Sequence, residues 1–182
     1  MLKGDLSVRE IRLEDVPLIV DYWSGSGNEH LQNMGVDLSK VPDAQQLYKN
    51  ISSHLHLAVE LRQSYCIIWQ VDGKPVGHSN TSPTNFGQDA FMHLHLWQSD
   101  TRHKGIGTAL LKLSVKHFFE RLQLKDLYAQ PYALNPAPHK ALEKAGFEFV
   151  KEYITTPGSL NFEQPVKLWH FSRERFNKIF HA

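Results

Sequence analysis

The dipeptide Asp72-Gly73 stands between two strand-like runs, Tyr65 to Val71 and Lys74 to Thr81. Both residues tolerate positive φ, so the pair closes a tight hairpin and sets the runs antiparallel. Helical periodicity lies on both sides of this hairpin, which restricts the chain to a mixed α/β architecture. Upstream, Leu6 to Arg12 reads as a strand, and Glu14-Asp15 caps a helix that tolerates Pro17 in its first turn. Val16, Ile19, Val20 and Trp23 recur at i, i+3, i+4 and i+7 along that helix. Ser24 to Val41 is rich in Gly, Ser and Asn and reads as an irregular connection. A second helix is expected from Asp43, with Leu47, Ile51, Leu55 and Val59 on one stripe.

Downstream, Ser82 to Gln88 reads as a loop and Ala90 to Trp97 as a strand. Gly105 to Leu122 is expected as a helix with Leu111, Val115, Phe118 and Leu122 on its apolar face, followed by a short strand from Asp126 to Gln130. Asn135-Pro136 starts a helix and Gly146 stops it. Phe147 to Ile154 and Pro165 to Phe171 are the last strands, and a tail helix carries Phe176, Ile179 and Phe180. The expected fold is a mixed, mostly antiparallel sheet of about seven strands flanked by helices. It forms one domain over residues 1–182, with a core at 6–171 and a tail helix at 172–182.

The 182 residues suffice for one full core. A net charge of +1 and the lack of a Lys/Arg run argue against nucleic acid as a partner. Cys66 is the only cysteine, so no internal disulfide forms. No apolar stretch reaches membrane-spanning length, and the first residues lack the apolar run of a signal peptide. The expectation is a cytoplasmic protein that binds no membrane.

The segment with the most chemical content is Arg102-His103-Lys104-Gly105-Ile106-Gly107-Thr108, between a strand and a helix. Glycines let the backbone turn tightly and leave no Cβ between its amides and a ligand. The first-turn amides of a helix have no intrahelical partner, and with the helix dipole they suit a pyrophosphate. Read alone, the segment is equally a tight strand-to-helix turn. A dinucleotide fingerprint needs a third glycine where Leu110 stands, and a P-loop needs a terminal Gly-Lys-Ser/Thr that is missing.

Arg102, Gly105 and Gly107 match the R/Q-x-x-G-x-G/A acetyl-CoA motif, and the segment resembles that of the GNAT superfamily of N-acetyltransferases. Asn135 to Phe147 is similar to the superfamily's second cofactor segment. The form Leu142-Glu143-Lys144-Ala145-Gly146-Phe147, with Tyr128 to Tyr132 before it, resembles the RimJ/RimL branch. The resemblance implies acetyl-CoA as co-substrate and an amine acceptor, either a protein N-terminus or a small molecule, in a monomer or homodimer. It implies that backbone groups of His95, Leu96 and Trp97 pair with the pantetheine arm like an added strand, one amide polarising the thioester carbonyl. It places the amides of His103, Lys104, Gly105, Ile106, Gly107 and Thr108 on the pyrophosphate. Asn135 would bond the pantetheine or cap its own helix, and His139 and Lys140 would lie near the phosphoadenosine.

The chain also departs from the family. Leu142 stands where many relatives carry a Tyr general acid, Pro138 where a Ser is usual, and Gln130 where some relatives carry a Glu. The proton chemistry must therefore come from other residues. His93 and His95 point to one face of their strand with Phe91 and Trp97, while Met92, Leu94 and Leu96 take the core face. By the resemblance, the histidine face looks toward the acceptor cleft, and either histidine is a candidate base. The competing reading makes them half-buried strand residues satisfied by hydrogen bonds. Tyr132 is a candidate acid for the leaving sulfur, against a packing role. Glu29, in the connection where the family builds its acceptor site, is weighed as an amine contact against a solvated carboxylate. No third ligand joins the histidines by spacing, so no metal is expected. A second function class remains in play: an acyl-CoA-binding or sensing module with degenerate catalysis, motivated by Leu142 and Gln130.

Overall fold

The computed structural model describes residues 4–97 and 105–181. Arg102, His103 and Lys104 of the expected anion site lie outside the described residues. Seven strands form one sheet in the order β1-β2-β3-β4-β5-β7-β6. They are β1 (Leu6–Glu10), β2 (Tyr65–Val71), β3 (Lys74–Asn85), β4 (Asp89–Leu96), β5 (Asp126–Ala129), β6 (Glu148–Thr155) and β7 (Gln164–Ser172). Every pairing is antiparallel except β4 with β5. The helices are α1 (Val16–Gly25), α2 (Asn28–Asn33), α3 (Ala44–His54), α4 (Ile106–Leu122), α5 (Pro136–Ala145) and α6 (Arg173–Phe180).

Alternation along β2 sends side chains to two cores. Tyr65 and Ile67 meet Leu111, Val115 and Phe118 of α4. Trp69 takes the same side, where its indole N–H donates to Ser114 Oγ of α4 at 2.7 Å. Cys66 and Ile68 face the other way, into a cluster with Ile19 and Val20 of α1 and Leu47 and Ile51 of α3. The apolar face expected for α1 is the face that is buried. α4 carries its expected stripe, and Phe176 of α6 is buried against it.

Several boundaries differ from the sequence reading. The connection from Ser24 to Val41 holds the six-residue α2 and a 3-10 turn at Leu38–Lys40, pieces too short to show a period. α3 begins after Asp43, whose carboxylate accepts from the Gln46 amide at 2.8 Å, and stops at His54. Leu55 still packs beside Ile51, but Val59 sits in a separate 3-10 turn and joins the opposite core. β3 runs on to Asn85 through the segment read as a loop. A register shift between Thr81 and Thr84 accommodates Pro83, which has no N–H for the ladder. Asn135 precedes α5 as expected, yet its side chain makes no capping hydrogen bond.

Candidate active site

The sheet opens between β4 and β5. The two strands pair only from Asp89 to Phe91 against Asp126 to Tyr128, and then diverge. On its other edge β4 stays paired with β3, His95 opposite His78 and Leu94 opposite Ser79. The Trp97 amide donates to the Val76 carbonyl at 3.0 Å. Peptide groups alternate in direction along a strand, so those of His93, His95 and Trp97 turn to β3 and those of Leu94 and Leu96 turn to the opening. This corrects the expected docking edge: of His95, Leu96 and Trp97, only Leu96 directs its peptide away from β3, and Leu94 joins it.

Side chains directly opposite one another in paired strands share a face. Ile68, His78 and His95 therefore line up under α1, with Asn80 and His93 in the next row. The His78 and His95 rings stack at 4.6 Å and 16°, and Tyr22 and Trp23 of α1 cover them. The Trp97 indole donates to His78 Nδ1 at 2.8 Å, which leaves the proton of that ring on Nε2. Burial, with His93 nearby, pushes the His78 pKa down to about 3. His93 Nε2 lies 3.0 Å from the Ser82 carbonyl, a group that only accepts. The ring therefore donates from Nε2 and keeps its lone pair on Nδ1. His95 Nδ1 lies 3.5 Å from the Tyr22 hydroxyl, which also lies 3.2 Å from His30 Nε2. Burial lowers the affinity of His93 and His95 for a proton, and neighbouring histidines add to this at His95. Both rings are neutral in the folded chain near pH 7.

These two histidines line a cavity of about 260 Å³ that reaches from the β4 edge to the start of α5. Tyr132, Asn135, Pro138 and Leu142 form its α5 end. Tyr132 packs its ring edge-on to Phe162 at 5.8 Å. With no capping role, the Asn135 amide at the cavity wall is available to a ligand. Leu142 is fully buried there, and Gln130 Oε1 accepts from the Tyr153 hydroxyl at 2.6 Å. His139 is held by the fold itself. Its Nδ1 accepts from the Trp169 indole and its Nε2 donates to the Tyr132 carbonyl, each at 3.1 Å, so both ring nitrogens are used inside the fold.

The far wall joins two distant segments. Met34 and Val36 meet the stretch from Pro157 to Asn161, and Gln164 closes the seam. The Asp37 amide donates to the Leu160 carbonyl at 2.8 Å, and Asn161 Nδ2 and Gln164 Nε2 both reach the Gly35 carbonyl. Gln164 Oε1 is the one buried side-chain oxygen among the described residues that finds no donor. Sequence reasoning missed Tyr22, His78 and the Pro157 to Gln164 side of this wall, while the resemblance did place the connection holding Met34 and Val36 at the acceptor site. A hairpin fixes the register of β2 with β3, but the alignment of His78 with His95 passes through the irregularity at Pro83, whose size the sequence does not give. Asn28 and Glu29 are exposed and do not line the cavity.

The described part of the expected anion site starts at Gly105. It precedes α4 with φ +73°, the left-handed conformation that favours glycine. Gly107 is different: a Cβ built there would meet nothing within 4 Å. Internal packing therefore does not require a glycine at 107. Among the described residues no side chain caps α4, and the amides of Ile106, Gly107 and Thr108 belong to the first turn, where helix geometry offers them no partner. Among the described residues, no group of three His, Cys, Asp or Glu side chains is arranged to hold a metal ion, and no helix is long and apolar enough to cross a membrane.

The sequence matches the acetyltransferase (GNAT) domain family over residues 5–148. No curated protein sequence matches it significantly. Its fold is similar to that of aminoglycoside acetyltransferase AAC(6')-Ib in complex with coenzyme A (TM-score 0.74, 17% identity, 96% of this chain and 99% of that chain). It is also similar to RimL, a ribosomal alpha-N-protein acetyltransferase in complex with coenzyme A (TM-score 0.75, 13% identity, 96% and 97% of the two chains). A third similar structure is spermidine N-acetyltransferase from Vibrio cholerae with coenzyme A and spermine (TM-score 0.75, 16% identity, 94% and 97%). At these identities the likeness is one of fold.

Proposed function

Because the chain belongs to the GNAT acetyltransferase family, we propose that it moves an acetyl group from acetyl-CoA to the nitrogen of an amine by direct attack in a ternary complex. The observation that carries this is the opening between β4 and β5, whose pairing stops at Phe91 and Tyr128 beside a cavity lined by two neutral histidines. When bound, acetyl-CoA supplies a thioester carbon open to a neutral amine and a thiolate leaving group. The β4 edge at Leu94 receives the pantetheine as an added strand and presents an amide to the thioester oxygen. The first turn of α4, with Arg102 to Lys104 before it, holds the pyrophosphate, and Asn135 meets the pantetheine from the α5 side. The acceptor nitrogen bonds to the acyl carbon as the carbon–sulfur bond breaks. His93 or His95 takes the proton the amine releases, and Tyr132 returns one to the sulfur. Cys66 does not take part: it packs under α1 and α3, and burial pushes its thiol away from the thiolate form. The accompanying expectation is a cytoplasmic monomer or homodimer.

The test is a calorimetric titration of acetyl-CoA into the wild type and Gly107→Glu. A carboxylate side chain there fills the space over the α4 amides and repels phosphate. Binding to the wild type and not to the variant is the expected result. A wild type that binds neither acetyl-CoA nor coenzyme A overturns the proposal. Buried Leu142 and the engaged Gln130 favour one second reading, a coenzyme A-binding module without transfer. Tight binding with no consumption of acetyl-CoA on any amine would establish that reading instead.

A further inference from the structure

Among the described residues, the cavity wall carries no formal charge. About 21% of the chain is Asp, Glu, Lys or Arg, yet none of the described residues lining the cavity is one of these. Its polar contacts are amides, hydroxyls and imidazoles, set among Trp23, Met34, Met92, Leu94 and Leu160. Beside the far wall, Asp37 and Lys40 are matched to each other. Lys40 lies 3.6 Å from Asp37 and donates to the Asn161 carbonyl, while Asp37 accepts from Ser39. The histidines are neutral and offer no counter-charge.

Resting on the acetyltransferase reading, we propose that the acceptor is a weakly basic primary amine on an uncharged, largely apolar body, and not a polycation. An ammonium that leaves water for such a wall loses its hydration and meets no carboxylate in return. A substrate must therefore shed its proton easily and bring no second charge. An α-amine with a pKa of about 7.7–8.0 reaches its neutral form at pH 7 for roughly 1.4 kcal/mol, whereas an alkylamine needs about 4 kcal/mol or more. Each further ammonium of a polyamine adds a desolvation cost that an uncharged wall does not offset. Amino-acid amides and aromatic amines share the required chemistry, and both fit a wall built from Trp, Met and Leu.

The experiment measures kcat/KM for acetyl-CoA consumption at pH 7 with phenylalaninamide, p-toluidine and spermidine, on the wild type and on Ser159→Asp. Ser159 is exposed at the cavity wall, so a carboxylate is tolerated there and adds a charge to a wall whose described residues have none. In the wild type, phenylalaninamide or p-toluidine is expected to exceed spermidine by about 50-fold or more, and their ratio tells a peptide-like acceptor from an aromatic one. Ser159→Asp is expected to raise spermidine turnover relative to the amide by up to about fivefold. A wild type that prefers spermidine overturns the acceptor class while leaving acetyl transfer intact. An unchanged ratio in Ser159→Asp overturns it as well, because neutrality of the wall then does not set the preference. No turnover of any amine by a protein that binds acetyl-CoA overturns the transfer reading and this proposal together.

Discussion

At the scale of single residues, the site is organised by neutral imidazoles. His93 is oriented by the Ser82 carbonyl, and His95 is fixed between the stacked His78 ring and the α1 aromatics. Replacing His93 or His95 with Ala is expected to lower kcat by roughly 10²-fold for the residue that serves as base, with acetyl-CoA affinity unchanged by calorimetry. Equal losses of binding and turnover in both variants would mark the pair as packing residues. The sequence placed these two side chains on one strand face correctly, because period-2 alternation is local. The resemblance put the backbone groups of His95 and Trp97 on the pantetheine, whereas strand register, a long-range property, turns them to β3. His139 shows the same limit. Its spacing in the α5 segment is legible, but its bonds to Trp169 and Tyr132 come from β7 and from the turn before α5.

At the scale of elements, the far wall of the cavity depends on one glycine. Gly35 has φ +83°, and a Cβ there would be driven into the Gln164 side chain, which is buried against it. Gly35→Ala combines a strained backbone with an overfilled site. It is expected to lose about 2–4 kcal/mol in chemical denaturation. Acceptor KM should rise in the same variant while acetyl-CoA binding holds, since the β4 edge and α4 lie elsewhere. A variant with wild-type stability would show that the 34–36 segment can move away from Gln164. Long elements such as α1, α4 and the β2–β3 hairpin were legible from periodicity and turn chemistry. The short α2, the passage of β3 through Pro83 and the seam between residues 34–36 and 157–164 were not, because each depends on partners far away in the chain.

For the whole molecule, the buried histidines link folding to acidity. His78, His93 and His95 all bind protons less readily in the folded chain than in water. Below about pH 6.5 the unfolded chain takes up more protons, so stability falls with pH by up to about 1.4 kcal/mol per unit for each histidine. For His78 the loss continues toward pH 3, where the folded form also protonates. Asp15 and Glu10, held below their usual range by Arg9 and Arg62, lose their contribution only below about pH 4. Thermal unfolding should therefore be level between about pH 7 and 8 and decline below about 6.5, well before the carboxylates titrate. His78→Gln should shallow that decline, and an unchanged slope would exclude His78 as a contributor. The two sides of the cavity also come from different parts of the chain. The strand edge and glycine turn proposed to hold the donor occupy one stretch from Leu94 to Thr108, whereas the recipient's wall is two separate loops stapled at Gly35 and Asn161. A descendant of this chain can exchange those loops and acquire a new recipient while inheriting its donor machinery untouched.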